Sequence, residues 1–169
     1  MRKLTSILPA LALLVIGCWR AQRESTSEPL TFFIVSEQKF DGGRLIDTTN
    51  FPQLGYIAAK PDLMVTNLAD VFPAKVADFA IVGDGKGKQT IVPTQPPPSL
   101  TVKLSAEDAK RFKALTEGAL GKRILLMLGE KPLTAPKVLF PIETPEFAID
   151  FVSHAELQKT ERVLKKLVH

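Results

Sequence analysis

Cysteine and histidine are scarce in this chain of 169 residues, which contains one cysteine, Cys18, and two histidines, His154 and His169. A single cysteine excludes a disulfide bond within the chain. A zinc site needs three or four ligands at a suitable spacing, which these residues do not offer. No nucleophile motif accompanies either histidine, so the sequence predicts no catalytic residues, no metal, no cofactor and no enzymatic activity.

An excess of charge of one sign is also missing. The formal net charge is +4, from 22 Lys and Arg residues against 18 Asp and Glu residues. Arg2 and Lys3 supply two of the positive charges, so the chain from Cys18 onward has a net charge of 20 − 18 = +2. So small a net charge predicts that the protein does not bind nucleic acid.

The densest basic group lies on a predicted helix that mixes both signs: Arg162, Lys165 and Lys166 accompany Glu156 and Glu161. Two interpretations remain open for it. The mixed charges favour a solvated helix face, and the alternative is a surface for an anionic partner.

Acidic residues form two loose pairs, Glu143 with Glu146 and Asp41 with Asp47. Carboxylate pairs bind calcium in some proteins and act as acid and base in others. Neither pair lies in an acidic loop pattern, which argues against both roles.

The sequence also lacks an apolar segment long enough to span a membrane. The apolar stretch at 4–16 is shorter than the roughly 20 residues of a membrane-spanning helix, and it follows two basic residues, as in a secretory signal peptide. It ends in VIGC at 15–18, which resembles the bacterial lipobox of aliphatic residues, a small residue and cysteine. The resemblance predicts a signal peptide at 1–17 and a lipid anchor on Cys18.

The alternative for Cys18 is an ordinary thiol in an uncleaved signal anchor. Its position behind Gly17, at the end of the apolar run, favours lipidation. Two or three acyl chains, at about 0.8 kcal/mol per buried methylene, would hold the chain on a membrane durably. The resemblance places the protein in the cell envelope facing the periplasm. Trp19, where some bacteria use Asp to retain lipoproteins in the inner membrane, favours the outer membrane.

The mature chain divides into a tether and one domain. Residues 18–29 comprise the cysteine and a polar stretch with little to bury, which predicts a flexible tether. Residues 30–169 predict an α+β domain, with two principal helices packed on one face of a mainly antiparallel sheet.

Local patterns place the elements of this domain. Ser105 and Ser153 each precede an acidic first turn, so both are predicted helix caps. Alternating or aliphatic runs predict strands. We expect one or two strands within 42–61, a short helical turn at 67–71, a hairpin connection rather than a phosphate loop at 83–88, and strands at 30–35, 77–82, 99–104, 123–128, 137–140 and 147–151.

The run 99–157 resembles the SecD subunit of the bacterial SecDF protein-export complex, within its large first periplasmic domain. The matching motifs are LSAEDAKRF at 104–112, LT at 115–116, GKR and an aliphatic strand at 121–128, AP at 135–136 and PI at 141–142. Residues 30–37 and 63–71 are similar more loosely. The resemblance implies a SecD periplasmic-head-like domain at 30–169.

Two departures from the family pattern accompany this resemblance. The hairpin turn reads LGEK at 128–131 where the family has Leu-Asp-Gly-Lys. Residues 143–145 read ETP in place of a glycine pair, and proline stiffens a backbone that glycine would loosen. The sequence also shows no transmembrane helices after the domain, and in SecDF those helices carry the proton-driven movement, so we do not expect a complete translocation motor.

The lipobox-like residues, the lack of a catalytic constellation and the SecD resemblance together predict a non-enzymatic lipoprotein whose SecD-like domain binds polypeptide, such as unfolded exported proteins, or docks onto export or envelope machinery. An exposed sheet edge or an apolar groove would accept an extended chain. Phe32, Phe33, Val138 and Phe140 either contribute to such a groove or belong to the core. The alternative function is a structural or accessory lipoprotein that uses the domain only as a scaffold. An unpaired, weakly charged edge strand would favour peptide binding, and a fully covered sheet would favour the scaffold.

Overall fold

The computed structural model describes residues 28–74, 79–83, 89–93 and 96–169. The signal peptide, Cys18, the tether up to residue 27 and the loop at 84–88 lie outside these residues. The strands are β1 (Leu30–Val35), β2 (Arg44–Thr48), β3 (Phe51–Ile57), β4 (Leu63–Val65), β5 (Leu68–Pro73), β6 (Phe79–Gly83), β7 (Gln89–Pro93), β8 (Ser99–Leu104), β9 (Arg123–Leu128), β10 (Lys131–Thr134) and β11 (Glu146–Asp150). The helices are α1 (Ala106–Gly118), α2 (His154–Leu164) and a 3-10 turn (Lys165–Leu167).

The strands form one four-stranded sheet in the order β10-β9-β1-β4 and one three-stranded sheet in the order β11-β8-β5. The pairs β2–β3 and β6–β7 are separate hairpins, and the pairings within all four groups are antiparallel. The predicted α+β class with mainly antiparallel strands and two helices is confirmed. The pairing of β6 with β7 also confirms the hairpin expected around 83–88.

The main core lies between the two larger sheets and the helices. Its aromatic centre consists of three rings, Phe32 of β1, Phe112 of α1 and Phe147 of β11, whose centroids lie 5.1 to 5.8 Å apart. Such tilted and edge-on pairs add about 0.5–1.5 kcal/mol each beyond the burial of their surface.

The central strands β1 and β9 of the four-stranded sheet are buried on both faces, which explains their uninterrupted apolar runs. Alternate side chains point to opposite faces of a strand. Phe32 and Leu126 therefore join the main core, while Phe33 and Leu125 join a second cluster beneath the β2–β3 hairpin.

Both helices begin at the predicted caps. The Ser105 hydroxyl accepts a hydrogen bond from the Asp108 N–H, and the Ser153 hydroxyl accepts one from the Glu156 N–H, each at 3.2 Å. Each bond satisfies an N–H that has no partner inside the helix, a contribution of about 1 kcal/mol.

Two local predictions are wrong. Residues 68–71 belong to β5 and residue 67 precedes it, so 67–71 is not a helical turn: Leu68 and Val71 are 1% and 2% exposed in the core, and the strand pairs with β8 through a bulge. Burial and pairing thus override the capping signal of Asn67. Residues 137–140 form a loop with a single bridge from Lys137 to Arg123, because β10 occupies the place beside β9.

Candidate functional site

The outer strands β4, β5 and β10 offer little unpaired backbone. β4 has three residues, and the Asp62 carboxylate before it accepts a hydrogen bond from the Ile34 N–H at 2.7 Å, where the β1–β4 pairing stops. In β5, the Asp70 carboxylate accepts from the Val71 N–H at 2.7 Å. β5 and β10 each contain a proline, Pro73 and Pro132, which has no N–H to donate. Short strands and prolines are features that prevent pairing at sheet edges.

The outer edge of β11 differs from these three. Its odd-numbered residues direct their backbone groups toward β8, as the bonds from the Leu104 N–H to the Pro145 carbonyl and from the Phe151 N–H to the Pro98 carbonyl show (2.8 Å each). Backbone direction alternates along an antiparallel strand, so the N–H and C=O of Ala148 point away from β8. No described strand is paired with β11 on this side, and neither group bonds to the backbone of a described residue outside the strands.

The charged residues of β11 are engaged at its two ends. The Glu146 carboxylate lies 3.4 Å from the Lys103 ammonium, and the Asp150 carboxylate accepts a hydrogen bond of 2.5 Å from the Ser99 hydroxyl. Both partners belong to β8. The middle of β11 is therefore an apolar edge, Phe-Ala-Ile, between two partnered carboxylates.

A small apolar cavity adjoins this edge, and we call it the edge slot. Its volume is about 70 Å³, room for one aliphatic side chain. It lies between β10 and β11, which run side by side without hydrogen bonds between them. The buried rings form its floor, Thr134 and Ala148 stand on opposite sides, and the chain after β10 completes it; the lining residues are Phe32, Phe112, Ile124, Leu126, Thr134, Pro136, Val138, Ile142, Phe147 and Ala148.

Next to the edge slot, the chain projects two large apolar side chains. Leu139 and Phe140 are each 72% exposed, and they lie between two lining residues of the slot, Val138 and Ile142. We call this pair the apolar tip. Because these two exposed apolar side chains adjoin an apolar cavity, we treat the tip and the slot together as the candidate binding surface.

The apolar tip is held from both sides. On one side, the Gly121 N–H donates to the Val138 carbonyl and the Val138 N–H donates to the Lys122 carbonyl, at 2.8 Å each. On the other side, the Ile142 N–H donates to the buried Thr116 hydroxyl at 3.0 Å. The positive φ of Gly121, 77°, lets the chain turn toward Val138. The tip is thus fixed on the scaffold next to the slot.

An ion pair reinforces the second attachment. The Lys113 ammonium of α1 lies 3.0 Å from the Glu143 carboxylate, one residue after Ile142. The hydrogen bond and the negative charge of Glu143 raise the pKa of Lys113 above its ordinary value, and Glu117 adds a smaller effect. The pair is exposed to solvent, so its contribution to stability is small.

The sequence named four apolar residues as contributors to a groove or as core, and the structure separates them. Phe32 and Val138 are buried and also line the edge slot. Phe140 is exposed in the apolar tip, and Phe33 is core on the opposite face of the sheet. The sequence did not identify Ala148, because which side of β11 lacks a neighbour depends on strand pairing.

The histidines and acidic residues considered as catalytic or metal-binding candidates do not form a common site. His154 and His169 are both exposed. Glu143 and Glu146 contact different lysines, and the Asp47 carboxylate accepts from the Gln53 N–H at 3.1 Å. Among the described residues, no group of three or more His, Cys, Asp or Glu side chains could hold a metal ion. In the same part of the chain, no helix has the length and apolar character to cross a membrane.

Comparison with known proteins gives structural matches. No protein-family model matches the chain, and no curated protein matches it in sequence. A structure of SecDF, described as a membrane component that enhances protein export, matches with a TM-score of 0.52 and 22% identity over 83% of this chain and 63% of its own. SecDF in a super-membrane-facing form matches with a TM-score of 0.51 and 20% identity, over 83% of this chain and 19% of its own.

The chain spans less than two thirds of the length of either SecDF structure. At such low identity the likeness concerns the fold alone. The fold is similar to part of SecDF, as the resemblance in the sequence led us to expect.

Proposed function

We propose that this protein is a membrane-tethered envelope lipoprotein whose SecD-like domain binds extended polypeptide at the edge slot, without enzymatic activity. The observation that carries the proposal is the free edge of β11 beside an apolar cavity and an exposed apolar tip. The fold shared with SecDF, whose description concerns protein export, is consistent with exported polypeptide as the ligand.

The proposed mode of binding has three parts. The Ala148 N–H and C=O each hydrogen-bond to the backbone of the ligand, as in the addition of a strand to a sheet. One aliphatic side chain of the ligand occupies the edge slot. The apolar tip, Leu139 and Phe140, covers the neighbouring part of the ligand and loses its own contact with water.

The spacing of the two strands limits the length of this contact. β10 and β11 approach within 8 Å between Cα atoms, whereas a strand inserted between them would need about 9.6 Å, twice the usual spacing between strands. The ligand therefore pairs with β11 over a short stretch unless the two edges separate. A short contact of this kind gives weak affinity and tolerates many sequences, which suits a protein that meets unfolded chains.

The second candidate function is an accessory lipoprotein that uses the domain only as a scaffold. The prolines and carboxylates at β4, β5 and β10 favour it, because they reduce strand pairing at most of the sheet boundary. The two candidate functions differ in what they require of β11. Polypeptide binding uses its free edge together with the edge slot and the apolar tip, whereas a scaffold requires none of these.

The membrane part of the proposal rests on the lipobox-like residues and Cys18. Mass spectrometry of the chain purified from membranes should find residues 1–17 removed and diacylglycerol and acyl groups on Cys18. Cys18→Ala should release the chain from the membrane fraction. An unmodified Cys18 thiol in membrane-derived protein would contradict the anchor without bearing on polypeptide binding.

Binding is tested with the full chain in detergent and a fluorescent polypeptide that has been reduced and alkylated so that it cannot refold. We expect binding by fluorescence anisotropy, and we expect Leu139→Ser with Phe140→Ser to weaken it at least about tenfold, because burial of either side chain contributes about 1.5–3 kcal/mol. The matched control is Val152→Ser, since Val152 is 93% exposed but does not line the slot. Equal affinity for all three proteins, or no binding by the unaltered chain, would favour the scaffold.

A further inference from the structure

A cationic stripe runs along α2 on the surface where the tether joins the domain. Lys159, Arg162 and Lys166 are all exposed. They are spaced three and four residues apart, so they lie on one face where the helix runs on into its 3-10 turn. None of the three forms a salt bridge with a described residue. By contrast, Lys165 on the neighbouring face lies 2.7 Å from Glu161 and is neutralised by it.

The stripe borders a hollow that also contains Glu28, the first residue described. The hollow has a volume of about 360 Å³, and its lining residues are Glu28, Leu128, Lys131, Lys159, Thr160, Val163 and Lys166. Three lysines and one glutamate give this lining a formal charge of +2. Lys131 is bound to Glu156 at 2.6 Å, so Lys159 and Lys166 against Glu28 leave the hollow a net charge of 2 − 1 = +1.

The length of chain before Glu28 limits how far this surface can lie from a lipid on Cys18. Nine residues lie between Cys18 and Glu28, and the ten Cα–Cα steps from Cys18 to Glu28 span at most about 36 Å even when fully extended. Glu28 therefore stays within about 36 Å of the lipid-bearing residue. The Debye length is about 10 Å at 0.1 M salt, so the stripe is attracted to lipid charge when this surface lies against the membrane.

We infer that the Lys159–Arg162–Lys166 stripe binds an anionic phospholipid surface and so fixes the orientation of the anchored domain. The inference rests on the proposed lipid on Cys18. Phosphate groups of the lipids attract the stripe, and the tether supplies the high local concentration that three cations alone could not achieve. One basic cluster without an anchor binds weakly, whereas a lipid and a basic patch together hold a surface stably.

A second basic cluster makes the choice of surface specific. Lys122, Arg123 and Lys137 line a cavity of about 470 Å³ at the opposite end of β9. β9 begins at Arg123 and ends at Leu128, which lines the hollow beside Glu28. The hollow is thus the basic surface next to the tether. The second cluster lies at the other end of β9 from the hollow and is not part of the proposed membrane contact.

The test measures how fast each lysine reacts with a water-soluble acetylating reagent. The full chain is purified from membranes and reconstituted into vesicles of phosphatidylcholine alone or of phosphatidylcholine mixed with phosphatidylglycerol. We expect Lys159 and Lys166 to react roughly fivefold more slowly on the anionic vesicles, with recovery in high salt. Lys60 and Lys110 are exposed and form no salt bridge with described residues, so they serve as internal controls with equal rates on both.

A variant pair tests the same inference through orientation. Lys165, next to the stripe in sequence, should also react more slowly on anionic vesicles; Lys159→Gln with Lys166→Gln should abolish that protection, while Lys60→Gln with Lys110→Gln should leave it unchanged. Equal rates on both vesicle types, or protection that persists in high salt, would overturn the inference. The intact mass of each sample shows whether Cys18 carries lipid: equal rates on a lipidated chain refute the stripe but leave the anchor standing, and an unlipidated Cys18 refutes both.

Discussion

β11 and β4 are both outer strands of a sheet, yet they offer different surfaces to a partner. β4 has three residues and directly follows Pro61 and Asp62. The Asp62 carboxylate already accepts a hydrogen bond from the backbone of β1. β11 has five residues, its carboxylates are engaged with β8, and the central Ala148 faces an apolar cavity. An outer position does not by itself make a strand available for pairing; strand length, local carboxylates and adjoining apolar space decide whether a partner can pair with it.

The first prediction concerns the floor of the edge slot beside β11. Phe112→Ala removes one of the three packed rings, and since Phe112 is 4% exposed we expect a loss of about 3–5 kcal/mol in the free energy of unfolding. Urea denaturation measures it. Leu120→Ala, at a residue that is 49% exposed just beyond α1, should change stability by less than about 0.5 kcal/mol. A loss below about 1 kcal/mol for Phe112→Ala would contradict the packing described for the floor.

The second prediction compares the two edges directly. Ala148→Pro removes an N–H that points away from β8, so the sheet keeps its pairing while the proposed ligand loses one donor. We expect binding of the unfolded polypeptide to weaken by about fivefold to tenfold, the net effect of one hydrogen bond.

The control for that variant is Met64→Pro on β4. Thr31, the partner of Met64, directs its backbone toward β9, so the Met64 N–H also points away from its sheet. This substitution should leave binding unchanged. If the two proline variants weaken binding equally, β11 is not the site.

The last prediction, a change in the pKa of Lys113, concerns the ion pair that helps attach the apolar tip to α1. Glu143→Gln removes the charge that raises the pKa of Lys113, so that pKa should fall toward its ordinary value. A raised pKa means that the folded state holds the proton more tightly. The pair therefore stabilises the fold at neutral pH, and that contribution is lost as the pH rises through the pKa of Lys113. NMR titration of the Lys113 side chain in both proteins measures the shift, and an unchanged pKa would contradict the ion pair.

Local sequence signals predicted the elements that depend on neighbouring residues. Ser105 and Ser153 cap their helices as expected, and the aliphatic strand was placed at its observed bounds, 123–128. β5 was missed because its bulge interrupts the alternation of apolar residues, and a cap-like Asn67 precedes it. The sequence alone could not assign 137–140 to a loop, because that depends on β10 taking the place beside β9.

The edge slot could not be predicted because it joins residues that are distant in the chain. Thr134 and Ala148 stand on its two sides, and Phe32 reaches it from β1. Each residue has an ordinary local setting, and only the packing of two sheets brings them to one cavity. The apolar residues Phe32, Val138 and Phe140 were signals for this region, but periodicity did not distinguish the buried residues from the exposed one.

Amide hydrogen exchange at Ala148 shows whether an unfolded polypeptide pairs with the free edge of β11. In the free chain the outward N–H groups of Ala148 and Met64 should both exchange fast, because neither donates to a described residue. On addition of the reduced and alkylated polypeptide, we expect exchange at Ala148 to slow by at least about tenfold, as a new hydrogen bond requires, while Met64 stays unchanged. Unchanged exchange at Ala148 with bound polypeptide present would contradict the account and place the binding surface elsewhere.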